Sequence, residues 1–247
     1  MKWDSTLYDG KHDFVSEYGK GLLSYIPDAS DQKILDLGCG TGTLTSEISD
    51  KYRDVLGVDG SPDMIQKAKA TYPHVSFEVV DALNMRFEQE WDIVFSNAVF
   101  HWIPDHDKLL KNIKQSLKAS GKLICEFGGY GNIGTIEQAF KTLLAAKGYT
   151  YKSRFNFPTV DAFGTLLEKN GFIIDDLYIY DRPTVLKDGE KGLANWASQF
   201  FATDLVDFNQ ADKDSLLAEL ENAVRAELWD GTNWVADYKR LRAITHI

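Results

Sequence analysis

The sequence predicts an α/β fold, a mostly parallel sheet covered by helices, and three observations carry that prediction. Ile34-Leu35-Asp36-Leu37-Gly38-Cys39-Gly40-Thr41-Gly42 reads as a buried strand entering a glycine loop, with a helix from Thr43 to Tyr52 behind it. Short apolar runs then alternate with amphipathic stretches along the chain, the pattern of strands joined by crossover helices. The 247 residues, 44% of them apolar, suffice for one large core.

Taken in order, the glycine loop comes first. Glycine is required there because a side chain would block close approach of a ligand or forbid the positive φ of so tight a turn. Asp54 to Val58 is the second strand and ends at Asp59, about 20 residues past the start of the loop, the spacing at which an acidic side chain takes ribose hydroxyls. Gly60-Ser61-Pro62 is a turn with Ser61 as N-cap and Pro62 at the first helical position of a helix reaching roughly to Thr71.

The third strand, Val75 to Val80, leads to Asp81-Ala82-Leu83, and the fourth, Trp91 to Phe95, leads to Ser96-Asn97-Ala98-Val99-Phe100-His101-Trp102. An amphipathic helix over Asp105 to Lys118 puts Leu109, Leu110, Ile113 and Leu117 on one face. The fifth strand, Gly121 to Phe127, ends in Glu126-Phe127-Gly128-Gly129. Helices over Ile133 to Lys147 and Asp161 to Lys169 precede a strand near Phe172 to Tyr180; helices over Glu190 to Phe201 and Ala211 to Leu228 precede a last strand, Trp234 to Thr245. Ligands of open parallel sheets bind beyond the carboxyl ends of the strands, where these loops gather.

The loop runs G-x-G-x-G rather than the G-x-G-x-x-G of nicotinamide and flavin sites. Asp36, two positions before its first glycine, would repel a pyrophosphate and suits a cationic amino group. An Asp at a strand end is also a common turn or cap residue, so Asp59 and Asp81 gain meaning from agreement among neighbouring strand ends. On these residues the chain resembles the class I S-adenosylmethionine-dependent methyltransferases, well over Tyr18 to Phe127 and loosely beyond.

That resemblance implies a Rossmann-like seven-stranded sheet, order 3-2-1-4-5-7-6 with the last strand antiparallel, in one domain over 1–247. The cofactor-binding core spans about 30–131, with helical cap insertions near 132–158 and 186–230 that set substrate choice. It further implies that Asp36, Gly38, Cys39, Gly40 and Gly42 hold S-adenosylmethionine, that Asp59 grips the ribose beside Gly60 and Ser61, and that Met64 faces the adenine. Asp81, with Ala82 and Leu83, meets the adenine amino group, and Asn97 joins the cofactor contacts. In the family the helix before the first strand closes over the cofactor, so Tyr8, Phe14 or Tyr18 borders its methionine end; Phe14, Tyr18 and Leu22 also form an i, i+4, i+8 stripe that serves ordinary packing.

A formal net charge of −10, with no lysine or arginine cluster, argues against a nucleic-acid substrate. Asn97-Ala98-Val99-Phe100 replaces the Asn-Pro-Pro-aromatic signature of related enzymes acting on DNA bases or glutamine, so the expected acceptor is a small molecule. No apolar run approaches 18 residues and no charged-then-apolar leader begins at Met1, so a cytoplasmic protein without a membrane partner is expected. Cys39 and Cys125 are isolated and match no zinc spacing, so no metal is expected.

Phe14-Val15, Tyr18-Gly19, Ser96-Asn97-Ala98, His101-Trp102 and Tyr238-Lys239-Arg240-Leu241-Arg242 look most like the branch containing trans-aconitate methyltransferase. That likeness implies a carboxylate acceptor; Tyr238, Arg240 and Arg242 alternate on one strand face, where the two arginines serve either to clamp carboxylates or as an ordinary solvated face carrying salt bridges. His101 and Trp102 are expected at the acceptor, with His101, or Glu126 behind it, as the base if the acceptor atom carries a proton; His101 also suits packing or capping. The alternatives are a methyltransferase acting on O, N or C of another metabolite, one acting on a protein or nucleic-acid group, and a non-catalytic S-adenosylmethionine-binding protein. Oligomeric state is not legible.

Overall fold

A computed structural model describes Gly19 and residues 21–247. The expectations for Tyr8, Phe14 and Tyr18 lie outside those residues. The carboxyl-edge elements run β1 (Lys33–Leu37), α1 (Thr43–Ser49), β2 (Asp54–Asp59), α2 (Pro62–Thr71), β3 (Ser76–Val79), β4 (Trp91–Asn97), a 3₁₀ turn (Phe100–Trp102), α3 (His106–Ser116) and β5 (Leu117–Gly128). There follow α4 (Gly134–Ala146), α5 (Val160–Lys169), β6 (Ile173–Asp181), β7 (Thr184–Val185), α6 (Gly192–Phe200), α7 (Gln210–Leu228), β8 (Val235–Ala236) and β9 (Lys239–His246).

Seven strands form one sheet in the order β3-β2-β1-β4-β5-β9-β6, so the last strand in sequence enters between the fifth and sixth, as expected. β1 through β5 pair in parallel. The β9 contacts run the other way: Ile247 N–H donates to the Gly121 carbonyl while Arg242 meets Glu126, so rising numbers on β9 face falling numbers on β5.

Strand parity sorts the core. Leu35, Leu37, Val94, Leu123 and Phe127 pack with Leu109, Leu110 and Ile113 of α3 and Phe163 and Leu167 of α5. Ile34, Ile93, Phe95 and Ile124 face the other way and pack with Leu22 and with Leu44 and Ile48 of α1. A strand covered on both sides carries apolar residues at successive positions, which is why β1 and β4 read as continuous apolar runs.

The described chain divides into two compact units. One holds the residues up to Tyr130, Phe155–Ile179 and Leu241–Ile247; the other holds Gly131–Arg154 and Tyr180–Arg240. In the second, α4 and α6 both pack on α7. Phe140 stacks on Phe201 with centroids 4.2 Å apart, and the Arg225 guanidinium lies 4.9 Å from the rings of both Trp229 and Trp234 while pairing with Glu190.

The structure corrects several boundaries, among them the fifth strand, which begins at Leu117 rather than Gly121, and the fourth, which runs on to Asn97. The helix expected over Asp105 to Lys118 ends at Ser116, because the carbonyls of Gln115 and Ser116 accept from Gln89 and Glu90 N–H and the chain turns directly into β5. The helix expected to reach Tyr52 ends at Ser49 and finishes in a turn. The last strand, expected unbroken over Trp234 to Thr245, is two: β8 pairs with β7 in a separate sheet, and β9 begins at Lys239. Between them the backbone is claimed by the loop before α4, since Ile133 N–H donates to the Asp237 carbonyl, Thr135 N–H to the Asp237 carboxylate and Lys239 N–H to Asn132. A segment whose polar groups are satisfied this way has no ladder to join. Tyr238 therefore lies outside the strand that carries Arg240 and Arg242.

Candidate functional site

The loops at the carboxyl ends of β1 through β5 tie to one another in sequence, and the glycine loop is the centre of that arrangement. Gly38 and Cys39 N–H both donate to the Val58 carbonyl of β2, at 2.7 and 2.9 Å. Gly38, Gly40 and Gly42 take φ of +82°, +55° and +86°, which favour glycine on steric grounds. Their surroundings differ. A Cβ on Gly38 would lie 2.2 Å from Val99, and one on Gly42 would lie 2.6 Å from the Phe77 ring, so these two glycines serve close packing inside the protein. A Cβ on Gly40 or on Gly60 would meet nothing within 4 Å. Backbone with open space over it at adjoining strand ends forms a cradle that side chains would fill, as a nucleoside-binding loop requires.

Asp59 joins the two halves of this cradle. Its Oδ2 accepts from Gly40 N–H at 3.1 Å and its Oδ1 from Ser61 N–H at 2.8 Å. Burial pushes its carboxyl above the usual range, opposed by those two N–H donors. Ser61 caps α2 as the sequence implies, its hydroxyl accepting from Met64 N–H, with Pro62 at the first helical position. Met64 is buried in the core beneath that turn.

Asp36 is 2% exposed. It shares the α1-facing side of β1 with Ile34, and its Oδ2 accepts from the Thr45 hydroxyl at 2.6 Å. Burial pushes its carboxyl up to about 7, the Thr45 bond pulling down and the Asp59 charge adding to the rise. Cys39 packs against the Ile65–Ala68–Phe77 cluster, and burial raises its thiol well above the usual range, which disfavours the thiolate.

Asp81 holds its own turn, its carboxylate accepting from Leu83 N–H and the Asn84 side chain, while Val80 N–H donates to the Asp59 carbonyl. Ala82 and Leu83 pack on the α3 side of the core, and the Ala82 carbonyl accepts from Asn112. Asn97 ends β4 opposite Glu126 in register, and a Cβ on Gly19 would come within 3.1 Å of the Asn97 amide. Ala98 takes a φ of +60°, rare for a residue with a side chain, held by its N–H donating to the Glu126 carbonyl at 2.7 Å.

The two residues expected as bases have protein partners that the sequence does not disclose. Glu126 is 1% exposed, and its Oε2 takes Arg242 Nε at 2.7 Å and a second guanidinium nitrogen at 2.5 Å. The Arg242 guanidinium also reaches the hydroxyls of Tyr25 and Tyr178. This corrects the expected arginine clamp: Arg242 faces Glu126 on the neighbouring strand. Arg240 is buried against the Tyr238 ring, 4.8 Å from its centroid.

His101 sits in the 3₁₀ turn after β4, 7% exposed, with its carbonyl accepting from Asn156 N–H. Its Nδ1 accepts from Gly128 N–H at 3.2 Å. Trp102, Phe155 and Phe157 surround the ring with centroids 5.1, 6.3 and 5.9 Å away. Thr45 and the Phe155–Phe157 pair went unread in the sequence; of these only Thr45, one helical turn beyond the loop, carries a local signal.

Residues 34–121 match a family model described as a methyltransferase domain. Over 99% of this chain and 97% of its own length, an uncharacterized methyltransferase of Schizosaccharomyces pombe is 30% identical. A trans-aconitate 2-methyltransferase of Methylobacterium nodulans is 35% identical over 49% of this chain and 48% of its own, so the match spans about half of that enzyme. Among solved structures, a Haemonchus contortus phosphoethanolamine N-methyltransferase, in complex with phosphomonomethylethanolamine and S-adenosylhomocysteine, superimposes with a TM-score of 0.58 at 24% identity, covering 92% of this chain and 52% of that one. With the strand order, the glycine cradle and a relative that spans nearly the whole chain in agreement, the chain belongs to the class I S-adenosylmethionine-dependent methyltransferases.

Proposed function

We propose that this enzyme methylates a small molecule, and that the acceptor atom is a carboxylate oxygen of an organic acid. One observation carries the reading: the carboxylate nearest the end of β4 is bound to Arg242 on the adjoining strand. A site whose acid is spent in an ion pair suits an acceptor that is already ionised at neutral pH and needs no base. The trans-aconitate relatives, which match over about half of the chain, support the same class. The net charge of −10 speaks against long nucleic acids.

For the cofactor, Gly40 and Gly60 leave the backbone open to close approach, and Asp59, already oriented by two N–H donors, offers its remaining lone pairs to ribose hydroxyls. Asp81 and the Ala82-Leu83 turn border the base, with Met64 beneath. The Asp36 carboxyl, raised to about 7 by burial, favours a cation above the loop in its ionised form. Asn97 sits at the loop's β4 side, and Tyr18 is assigned to the same cofactor contacts. When bound, S-adenosylmethionine supplies a methyl group on a cationic sulfur that leaves as a neutral thioether. The protein's part is to orient the acceptor oxygen and exclude water.

The test is incubation of the enzyme with methyl-labelled S-adenosylmethionine and a panel of di- and tricarboxylates, trans-aconitate among them. Label released as methanol by mild alkali is the expected result, since the product is a methyl ester. Label that resists alkali moves the acceptor atom to nitrogen, carbon or an ether oxygen.

A further inference from the structure

Two carboxylates stand behind the glycine loop, and their partners differ in kind. Asp59, at the end of β2, accepts from Gly40 N–H and Ser61 N–H, groups that can only donate and so favour its charged form. Asp36, on β1, takes its hydrogen bond, among the described residues, from the Thr45 hydroxyl at 2.6 Å. A hydroxyl is both donor and acceptor: it donates to Asp36 when the acid is ionised and accepts from it when the acid is protonated. The bond survives in either state.

Position joins this pair to the cradle. Thr45 lies in the first turn of α1 and is fully buried, its hydroxyl against the Cys39 thiol of the loop as well as against Asp36. The Asp36 charge acts on Cys39, Asp59 acts on Asp36, and Asp59 holds the N–H of Gly40, where a Cβ would meet nothing within 4 Å. Of the titratable groups facing Asp36, Asp59 is a like charge that raises its carboxyl, and the Cys39 thiol is held well above its usual range by burial. Gly57 and Phe95, its partners on β2 and β4, and Leu44 and Ile48 of α1 carry no charge. Among the described residues no cation pairs with Asp36, so a buried acid with a like charge beside it gains most from a cation arriving above the loop.

We propose that Thr45 is a positioning residue for the cofactor: its hydroxyl fixes the Asp36 carboxyl in both protonation states, so that the cationic end of S-adenosylmethionine, on binding, sends the Asp36 proton into solvent. The inference rests on the reading of Asp36 as the carboxylate that favours a cation above the loop. Burial and Asp59 raise the Asp36 carboxyl to about 7, so a proton is there to be released near neutral pH, and the Thr45 bond opposes that rise. Removing the hydroxyl pushes the carboxyl further up and moves the loss of cofactor affinity to higher pH.

Titration calorimetry in buffers of different ionisation heat counts the proton. At about pH 6.5 the cofactor's own α-amino group, about 7.7–8.0 when unperturbed, is already charged. Wild type is expected to release roughly 0.5–1 proton per S-adenosylmethionine bound, and Asp36→Asn to bind more weakly and release none. 5′-Methylthioadenosine, a neutral thioether without the amino acid, is expected to bind with no release. Thr45→Val keeps the shape and deletes the hydroxyl. Its Kd for S-adenosylmethionine should rise about tenfold at about pH 6.5, the loss of one hydrogen bond to a charged group, and approach wild type toward about pH 8, with 5′-methylthioadenosine unaffected. Thr45→Ser should restore the wild-type profile.

Equal losses for both ligands at every pH in Thr45→Val, without rescue by Thr45→Ser, would mean that Thr45 only packs. A wild type that releases no proton overturns the inference even where Thr45→Val fails to fold. Asp36→Asn binding S-adenosylmethionine as tightly as wild type would overturn the reading of Asp36 beneath it. Weakened binding in Asp36→Asn, with a Thr45→Val profile like wild type, overturns the role of Thr45 alone.

Discussion

The N–H of Gly40 donates to Oδ2 of Asp59 across 3.1 Å, joining the loop after β1 to the end of β2 through the same carboxylate expected at the ribose. Asp59 thereby shapes the cradle before it holds anything. Asp59→Ala should weaken S-adenosylmethionine binding by about 1–3 kcal/mol and also lower Tm, since two half-buried N–H groups lose their acceptor. Isothermal titration and thermal denaturation read the two effects. Unchanged affinity with lowered Tm would leave Asp59 as a loop brace alone.

Gly40 and Gly42 have similar backbone angles and opposite surroundings, so alanine at each should fail differently. Gly42→Ala drives a methyl into the Phe77 ring and should cost about 1–3 kcal/mol of overpacking beyond the strain of its positive φ. Gly40→Ala has only the strain, about 1–2 kcal/mol, but places its methyl in the cradle. Denaturation midpoints should rank Gly42→Ala as the less stable, while cofactor titration should show Gly40→Ala as the poorer binder relative to its remaining stability.

The buried Asp36 carboxyl, with a pKa of about 7, makes a pH prediction with a definite sign. Its folded value lies above the unfolded one, so its stabilising contribution is fully present below about pH 4, declines as pH rises toward 7 and is gone above it. Asp36→Asn removes that slope. Urea denaturation of both proteins between pH 5 and 8 should show wild type losing stability relative to the variant up to about pH 7 and running parallel beyond. A constant difference would place the Asp36 carboxyl in its usual range.

Breaking the Glu126–Arg242 pair from either side leaves a buried charge without its partner. Glu126→Gln and Arg242→Met should each destabilise by about 3–5 kcal/mol, and the double variant by less than the two together. The pH–rate profile of Glu126→Gln should keep the wild-type shape. Loss of an acidic limb with stability intact would restore Glu126 as a base.

Much of this arrangement was legible because it is local. The strand, glycine loop and helix of 34–49, the Ser61 and Pro62 start of α2, and the acidic residues at successive strand ends are written within a few residues of where they act, in steric and hydrogen-bonding preferences that need no distant partner. The strand order came from resemblance, and the structure has it. The reading of Trp234 to Thr245 as one strand failed because apolar alternation cannot show that the Asp237 and Lys239 backbone is claimed by residues 132–135.

By itself the sequence determined the cradle and the class of chemistry, since a glycine that must bear positive φ and a carboxylate placed about 20 residues beyond it are constraints on the chain's own geometry. Only the tertiary structure decided which protein partners these side chains take. Arg242 reads on paper as a free cation for a ligand; the antiparallel register of β9 against β5 sets it on Glu126, 116 residues away. His101, which the sequence leaves open between a base and a packing residue, takes the Gly128 N–H at the end of β5 on its Nδ1. Register and partner choice arise from how strands pair over long separations, and one residue of shift in β9 would have turned Arg242 to the other face of the sheet.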